Sequence, residues 1–319
     1  MITKFSHVRE ELVFSELFYP TITRIWYTFY QAMKKIFPAC MKLLRLKTSL
    51  AVTLFASLLG VAASQATPNW KMLCIILANI FSSWILFLFR DWQYAPQDIS
   101  KQADDMQNPI AAGIIKLNTA KLLLLVLVGI TITLYAIPDT KTLITGLALL
   151  AIIFILNWRK LGLQKIFHLK TSPYNWLVNA FFCLLGSLGL ADELNQFSML
   201  AIAFVVLIML YISLIDQARQ GKSARTLRRL NIISAICLSL AGIIGIMLFV
   251  IFELLPYWVT GLSLILMAIM VVPQTLERFR AKEKPLFEND LLRVAFFRSG
   301  ALGLMVHFLV PLIYSLFIK

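Results

Sequence analysis

Nine stretches of this chain, 48–65, 70–89, 117–137, 141–158, 174–191, 196–215, 231–253, 256–273 and 294–317, are apolar over close to the length a helix needs to cross a bilayer. About 20 residues cover the ~30 Å hydrocarbon core. Hydrocarbon offers the backbone no partner, so a spanning segment must satisfy its own N–H and C=O groups. The expected fold is therefore all-α: a polytopic membrane bundle of nine transmembrane helices. Only 14% of the residues are charged and 60% are hydrophobic, whereas a soluble domain carries roughly 25% charged residues.

The loops between these runs alternate in charge. With the N-terminus inside, all but three of the 30 Lys and Arg residues fall on the inner side; Lys71, Lys141 and Lys319 are the exceptions. The outer connections carry Asp139, Asp192, Glu193 and Glu253. The positive-inside rule then predicts a cytoplasmic N-terminus and a C-terminus on the opposite side. The net charge of +14 is mostly this topology signal, and a nucleic-acid partner ranks far behind it.

Residues 1–47 form a separate basic and aromatic segment, and 48–319 the transmembrane domain. Phe14, Phe18, Ile25, Phe29, Met33 and Phe37 recur at near-helical spacing, with Arg24, Lys34 and Lys35 between them. That pattern predicts an amphipathic helix lying at the membrane surface. Nothing there reads as a cleavable signal. The four cysteines are scattered without a Cys-x-x-Cys pair, which sets zinc and redox chemistry aside.

Two polar stretches break the pattern, and both lie on the inner side. RDWQYAPQDISKQADDMQNPIAAG (90–113) gathers Asp91, Asp98, Asp104 and Asp105, a quarter of the sixteen acidic residues. YISLIDQARQGKSARTLRRLN (211–231) holds Asp216, Arg219, Lys222, Arg225, Arg228 and Arg229. The inner loop 159–173 adds Arg159, Lys160, Lys165 and Lys170. Carboxylates beside basic groups suit a polyanion with divalent metal, because carboxylates hold Mg²⁺ while Lys and Arg take phosphate oxygens. Taken singly, the basic residues are better explained as solvated charges that set the topology. Asp91 comes one residue after LFLF, and a carboxylate at that border is a functional candidate by default. Asn175 and Asn179 share a helix face near the inner end of span five, where bonding between helices is favoured over lining a cavity.

Nine spans, an aspartate-rich stretch after span two and a second polar stretch after span six together resemble the UbiA superfamily of intramembrane prenyltransferases. The resemblance covers roughly 45–317. NPIAAG (108–113) is similar to that family's R/N-P-I-x-x-G, and RTL (225–227) to the end of its second loop. The first motif usually reads N-D-x-x-D-x-x-x-D; here Arg90 stands for the Asn and Tyr94 for the middle Asp, while Asp91 and Asp98 stay in register. In the second motif, D-x-x-x-D, Asp216 is followed by Gln220.

The resemblance implies a helical bundle around a central cavity open toward the inner surface, and a membrane prenyltransferase that moves an isoprenyl group from a prenyl diphosphate to an aromatic or lipid acceptor, assisted by Mg²⁺. Asp91, Asp98 and Asp216 are then the catalytic and metal-holding set. Arg90, Lys165, Lys170, Lys222 and Arg225 face the diphosphate, and Tyr94, Asn108, Asn175 and Asn179 line the acceptor cavity. The thinned motifs leave a second reading open: a catalytically impaired relative that binds an isoprenoid lipid or a partner subunit. A transporter ranks last, because the carboxylates gather at span ends rather than at the midplane where transporters place their ionisable groups.

Overall fold

The computed structural model describes residues 44–100, 108–158, 175–191, 193–218, 224–281 and 290–317. The surface segment expected before residue 44 lies outside them. Among the described residues are nine α-helices and no strand: α1 (Leu46–Ser64), α2 (Trp70–Ser100), α3 (Leu117–Ala136), α4 (Thr140–Asn157), α5 (Trp176–Leu188), α6 (Gln196–Ala218), α7 (Ala224–Ile246), α8 (Tyr257–Ala281) and α9 (Asp290–Phe317). Each falls on one of the nine apolar runs. Six are long and apolar enough to cross a membrane, and shorter apolar helices occupy the other three runs. The chain is an integral, multi-pass membrane protein.

Two helices differ from expectation. α2 does not end where the apolar run ends but continues as helix through Asp91 to Ser100, 31 residues in all. At 1.5 Å per residue that is about 46 Å, well beyond the hydrocarbon core. The first part of the aspartate stretch is thus helix rather than loop. α5 is the opposite case: 13 residues, about 20 Å, too short to span the core. It can be short because protein, not lipid, surrounds it. Val178, Asn179, Phe182, Cys183, Leu185 and Ser187 are all buried, and α1, α4 and α6 pack against it.

α1 is the hub, packing on α2, α5, α6 and α9. Between α1 and α5 the backbones come close: a Cβ at Gly60 would meet the Cys183 carbonyl, and one at Gly186 the Ser57 carbonyl. Ser187 Oγ donates to the Gly60 carbonyl at 2.9 Å. Small residues permit this approach, and in lipid packing and hydrogen bonds rather than water exclusion hold helices together.

A buried polar network locks the same region. Asn79 Nδ2 donates to Ser57 Oγ (2.8 Å) and to the Phe182 carbonyl (3.2 Å). Tyr135 OH donates to Asn79 Oδ1 (2.8 Å) and lies 3.0 Å from Ser82 Oγ. Four helices, α1, α2, α3 and α5, share these bonds. α7 runs on into a π-helical turn, Met247–Ile251, closed by Phe252 N–H to the Met247 carbonyl at 2.9 Å. Such turns often mark functional sites.

Candidate active site at the aspartate end of the bundle

Asp91 lies where α2 leaves the apolar run, and it is only 5% exposed. Positions 91, 94 and 98 are three and seven residues apart, so Asp91, Tyr94 and Asp98 return to one face of the helix. The Asp98 side chain lies outside the described part of the structure. Asn108 fixes the chain as it comes back: Nδ2 donates to the Asp91 carbonyl at 2.9 Å, while Oδ1 accepts from the backbone N–H of Ile110 (3.0 Å) and Ala111 (3.4 Å). Gly113, at φ 71°, completes the turn in a conformation that favours glycine. The NPIAAG signature therefore clamps the returning segment against Asp91.

Arg45, at the entry to α1, joins this group. Its guanidinium sits 5.0 Å from the centroid of the Phe87 ring, a cation–π contact. Burial lowers the Arg45 pKa and the Arg90 charge pushes the same way, while the Asp91 carboxylate pushes it back up. A buried cation beside a second cation favours the arrival of an anion.

Hydrogen bonds set the depth of each charged group. The Asn79–Ser57 bond aligns α2 with α1, and Ser198 Oγ to the Ala63 carbonyl (3.3 Å) aligns α6 with α1. From that level Arg45 and Asp91 each lie twelve residues toward the aspartate end, about 18 Å. Asp216 lies eighteen residues beyond Ser198, about 27 Å, but Ala63 starts about 9 Å on the far side of Ser57. Arg45, Asp91 and Asp216 thus reach a common depth on three helices that meet at α1.

Asp216 Oδ1 accepts from Arg293 Nη1 at 2.8 Å, which joins α6 to the start of α9. Above this pair, away from the aspartate end, is an apolar cavity of about 310 Å³ bounded by α1, α6, α7, α8 and α9. Phe55, Phe204, Phe249, Phe296 and Leu304 line it, with Thr260, Ser263 and Ser299 as its polar edge. It opens sideways between α7 and α8, where Leu238 and Leu264 are exposed. No residue of α2 lines it.

Other sequence candidates fall elsewhere. Asn175 caps α5, with Oδ1 accepting from Leu177 and Val178 N–H, and Asn179 Nδ2 donates to the Asn175 carbonyl at 2.8 Å. Both are buried in the α5 turn rather than in the apolar cavity. Arg90 is half-buried next to Asp91. Lys165, Lys170 and Lys222 lie outside the described residues, as does the side chain of Arg225. Sequence reasoning missed Arg45 and Arg293. Arg293 carried one signal, a cation at the border of the last apolar run, and positive-inside logic absorbed it.

The donor chemistry fits Mg²⁺. Asp91 and Asp216 offer hard oxygen donors at one depth, and Mg²⁺ commonly takes one or two protein carboxylates, with phosphates and water completing the octahedron. Among the described residues no group of three or more His, Cys, Asp or Glu converges, so those residues alone do not build a full cage.

Comparison with solved structures places this architecture. A UbiA homolog from Archaeoglobus fulgidus bound to GPP and Mg²⁺ superposes with a TM-score of 0.58 at 16% identity, over 85% of this chain and 99% of that one. A UbiA homolog from Aeropyrum pernix K1 in its apo form gives 0.55 at 14% identity, over 81% and 97%. Digeranylgeranylglyceryl phosphate synthase gives 0.52 at 13% identity, over 86% and 99%. No family model and no curated protein matches the sequence. The chain shares the fold of these UbiA homologs.

Proposed function

We propose that this chain is a membrane prenyltransferase that moves an isoprenyl group from a prenyl diphosphate to a lipophilic aromatic or lipid acceptor, with Mg²⁺ as its ion. What supports this reading is the similar depth that helix rise gives Asp91 and Asp216, with guanidinium groups beside them and an aromatic-lined apolar cavity adjoining Asp216. The UbiA homolog that shares the fold is described as bound to GPP and Mg²⁺, which supports the donor class.

Asp91, Asp98 and Asp216 would hold the ion, which supplies charge neutralisation to the departing diphosphate. Arg90 and Arg45 add fixed positive charge at the same depth, with Lys165, Lys170, Lys222 and Arg225 as further diphosphate contacts from the neighbouring loops. The cavity takes the prenyl chain and keeps water from the reacting carbon. Tyr94, one turn from Asp91, stands on the acceptor side with Asn108. Asn175 and Asn179 act by fixing the α5 turn. In this reading the aspartate end is cytoplasmic and the C-terminus lies opposite.

The test is diphosphate release by the purified protein in lipid nanodiscs, with labelled prenyl diphosphate, Mg²⁺ and a membrane lipid extract as acceptor source. Asp91→Asn and Asp216→Asn are each expected to lower turnover by about 100-fold or more. Unchanged turnover in both variants refutes the assigned roles. The arginines that neighbour both aspartates favour one alternative, a relative that binds the isoprenoid without reacting. Saturable binding with no release in any acceptor mixture would select it.

A further inference from the structure

The Arg293–Asp216 pair sits at one end of the apolar cavity. Ile208, two turns before Asp216, and Phe296, one turn after Arg293, both line that cavity. α6 and α9 face each other across it, and the pair bridges them at 2.8 Å. Its side chains are 12% and 27% exposed, so neither charge is simply solvated. Removing one member of such a pair strands the other charge, whereas exchanging one anion for another does not. A planar guanidinium fork also matches phosphate oxygens, to which it donates two parallel hydrogen bonds.

We propose that Arg293 is a diphosphate-binding residue that Asp216 holds in reserve. When the donor arrives, the guanidinium passes from the Asp216 carboxylate to the phosphate oxygens, and the carboxylate becomes available to the divalent ion. No covalent bond changes; Arg293 exchanges one anionic partner for another. Without the donor the pair closes the end of the cavity, and with it the diphosphate takes that place while the chain extends past Phe296. This inference rests on the prenyl diphosphate reading above.

The experiment measures binding, not turnover. Full-length protein in nanodiscs is titrated with geranyl S-thiolodiphosphate, a slowly cleaved donor analogue, once in EDTA and once in Mg²⁺. Arg293→Gln is expected to weaken binding by at least about tenfold in both media, the size of a lost charge-assisted contact. Arg293→Lys keeps the ion pair but loses the fork, and should weaken binding several-fold.

Asp216→Asn gives the distinctive sign. It frees Arg293 from its competitor, so binding tightens in EDTA, yet it removes a metal ligand, so binding weakens in Mg²⁺. Wild-type affinity in both Arg293 variants, or weakening by Asp216→Asn in both media, overturns the role of Arg293 and leaves the donor class standing. No saturable binding by the wild-type protein in either medium overturns the donor class, and this inference with it.

Discussion

The α1–α5 half and the α6–α9 half of the bundle are built differently. Most of the large, fully buried side chains among the described residues lie on α1–α5, among them Tyr135, Phe87, Phe182, Leu59, Met72 and Leu149, while the second half has fewer, such as Met209, Leu248 and Phe297. The Asn79–Tyr135–Ser82–Ser57 network and the Gly60 and Gly186 contacts also belong to the first half. The second half holds the cavity, the π turn, and two helices, α7 and α8, that line a common void. A dense interior transmits displacement and resists volume change, whereas a void tolerates both. One half therefore fixes Asp91, and the other leaves open space near Asp216, where the proposed function puts the prenyl chain.

The sharpest way to break this comparison is a single methyl group in each half. Gly60→Ala places its methyl on the Cys183 carbonyl, where neither backbone has room to yield. A loss of about 3 kcal/mol is expected, read as a steep fall in thermal stability in detergent.

Next in size is Tyr135→Phe, which strips the hydroxyl from a buried network and leaves Asn79 Oδ1 and Ser82 Oγ without it. About 2 kcal/mol should be lost. Its ring also fills the space over Gly146, so Tyr135→Ala would cost more.

In the other half Gly242→Leu fills the cavity, on whose wall Gly242 lies with nothing within 4 Å of an added Cβ. Stability should change by less than about 1 kcal/mol. Affinity for a longer prenyl diphosphate should fall about tenfold relative to a shorter one, a penalty on the scale of one or two buried methylenes. Smallest of all is Gly242→Ala, expected within about 0.5 kcal/mol of wild type. If Gly60→Ala and Gly242→Ala proved equally harmful, the two halves would not differ as described.

Much of the fold was legible because hydrocarbon leaves the backbone no choice, so hydropathy alone located the nine helices found among the described residues. Their ends were less legible. The change from LFLF to RDWQ marks the edge of the hydrocarbon, not the end of the helix. No glycine in RDWQYAPQDIS stops α2, and it runs on through Asp98. α5 was read as a full span because its apolar run is long enough. Whether protein or lipid surrounds a segment is a property of the packing, invisible in a single sequence.

The site divides in the same way. Asp91 and Asp216 stood out as carboxylates at the borders of apolar runs. Arg293 did not, because its meaning depends on a partner 77 residues away. Asn79 and Tyr135 read as ordinary polar members of their spans until the fold joined them.

The central claim is that Asp91 and Asp216 serve one diphosphate beneath one cavity. The most direct measurement is an experimental structure of the protein with geranyl S-thiolodiphosphate and Mn²⁺, with the anomalous signal locating the metal. The account predicts metal and phosphate between α2 and α6, with the prenyl chain in the cavity lined by Phe55, Phe204 and Phe296. Metal and diphosphate bound away from both aspartates, or a chain lodged outside that cavity, would contradict it.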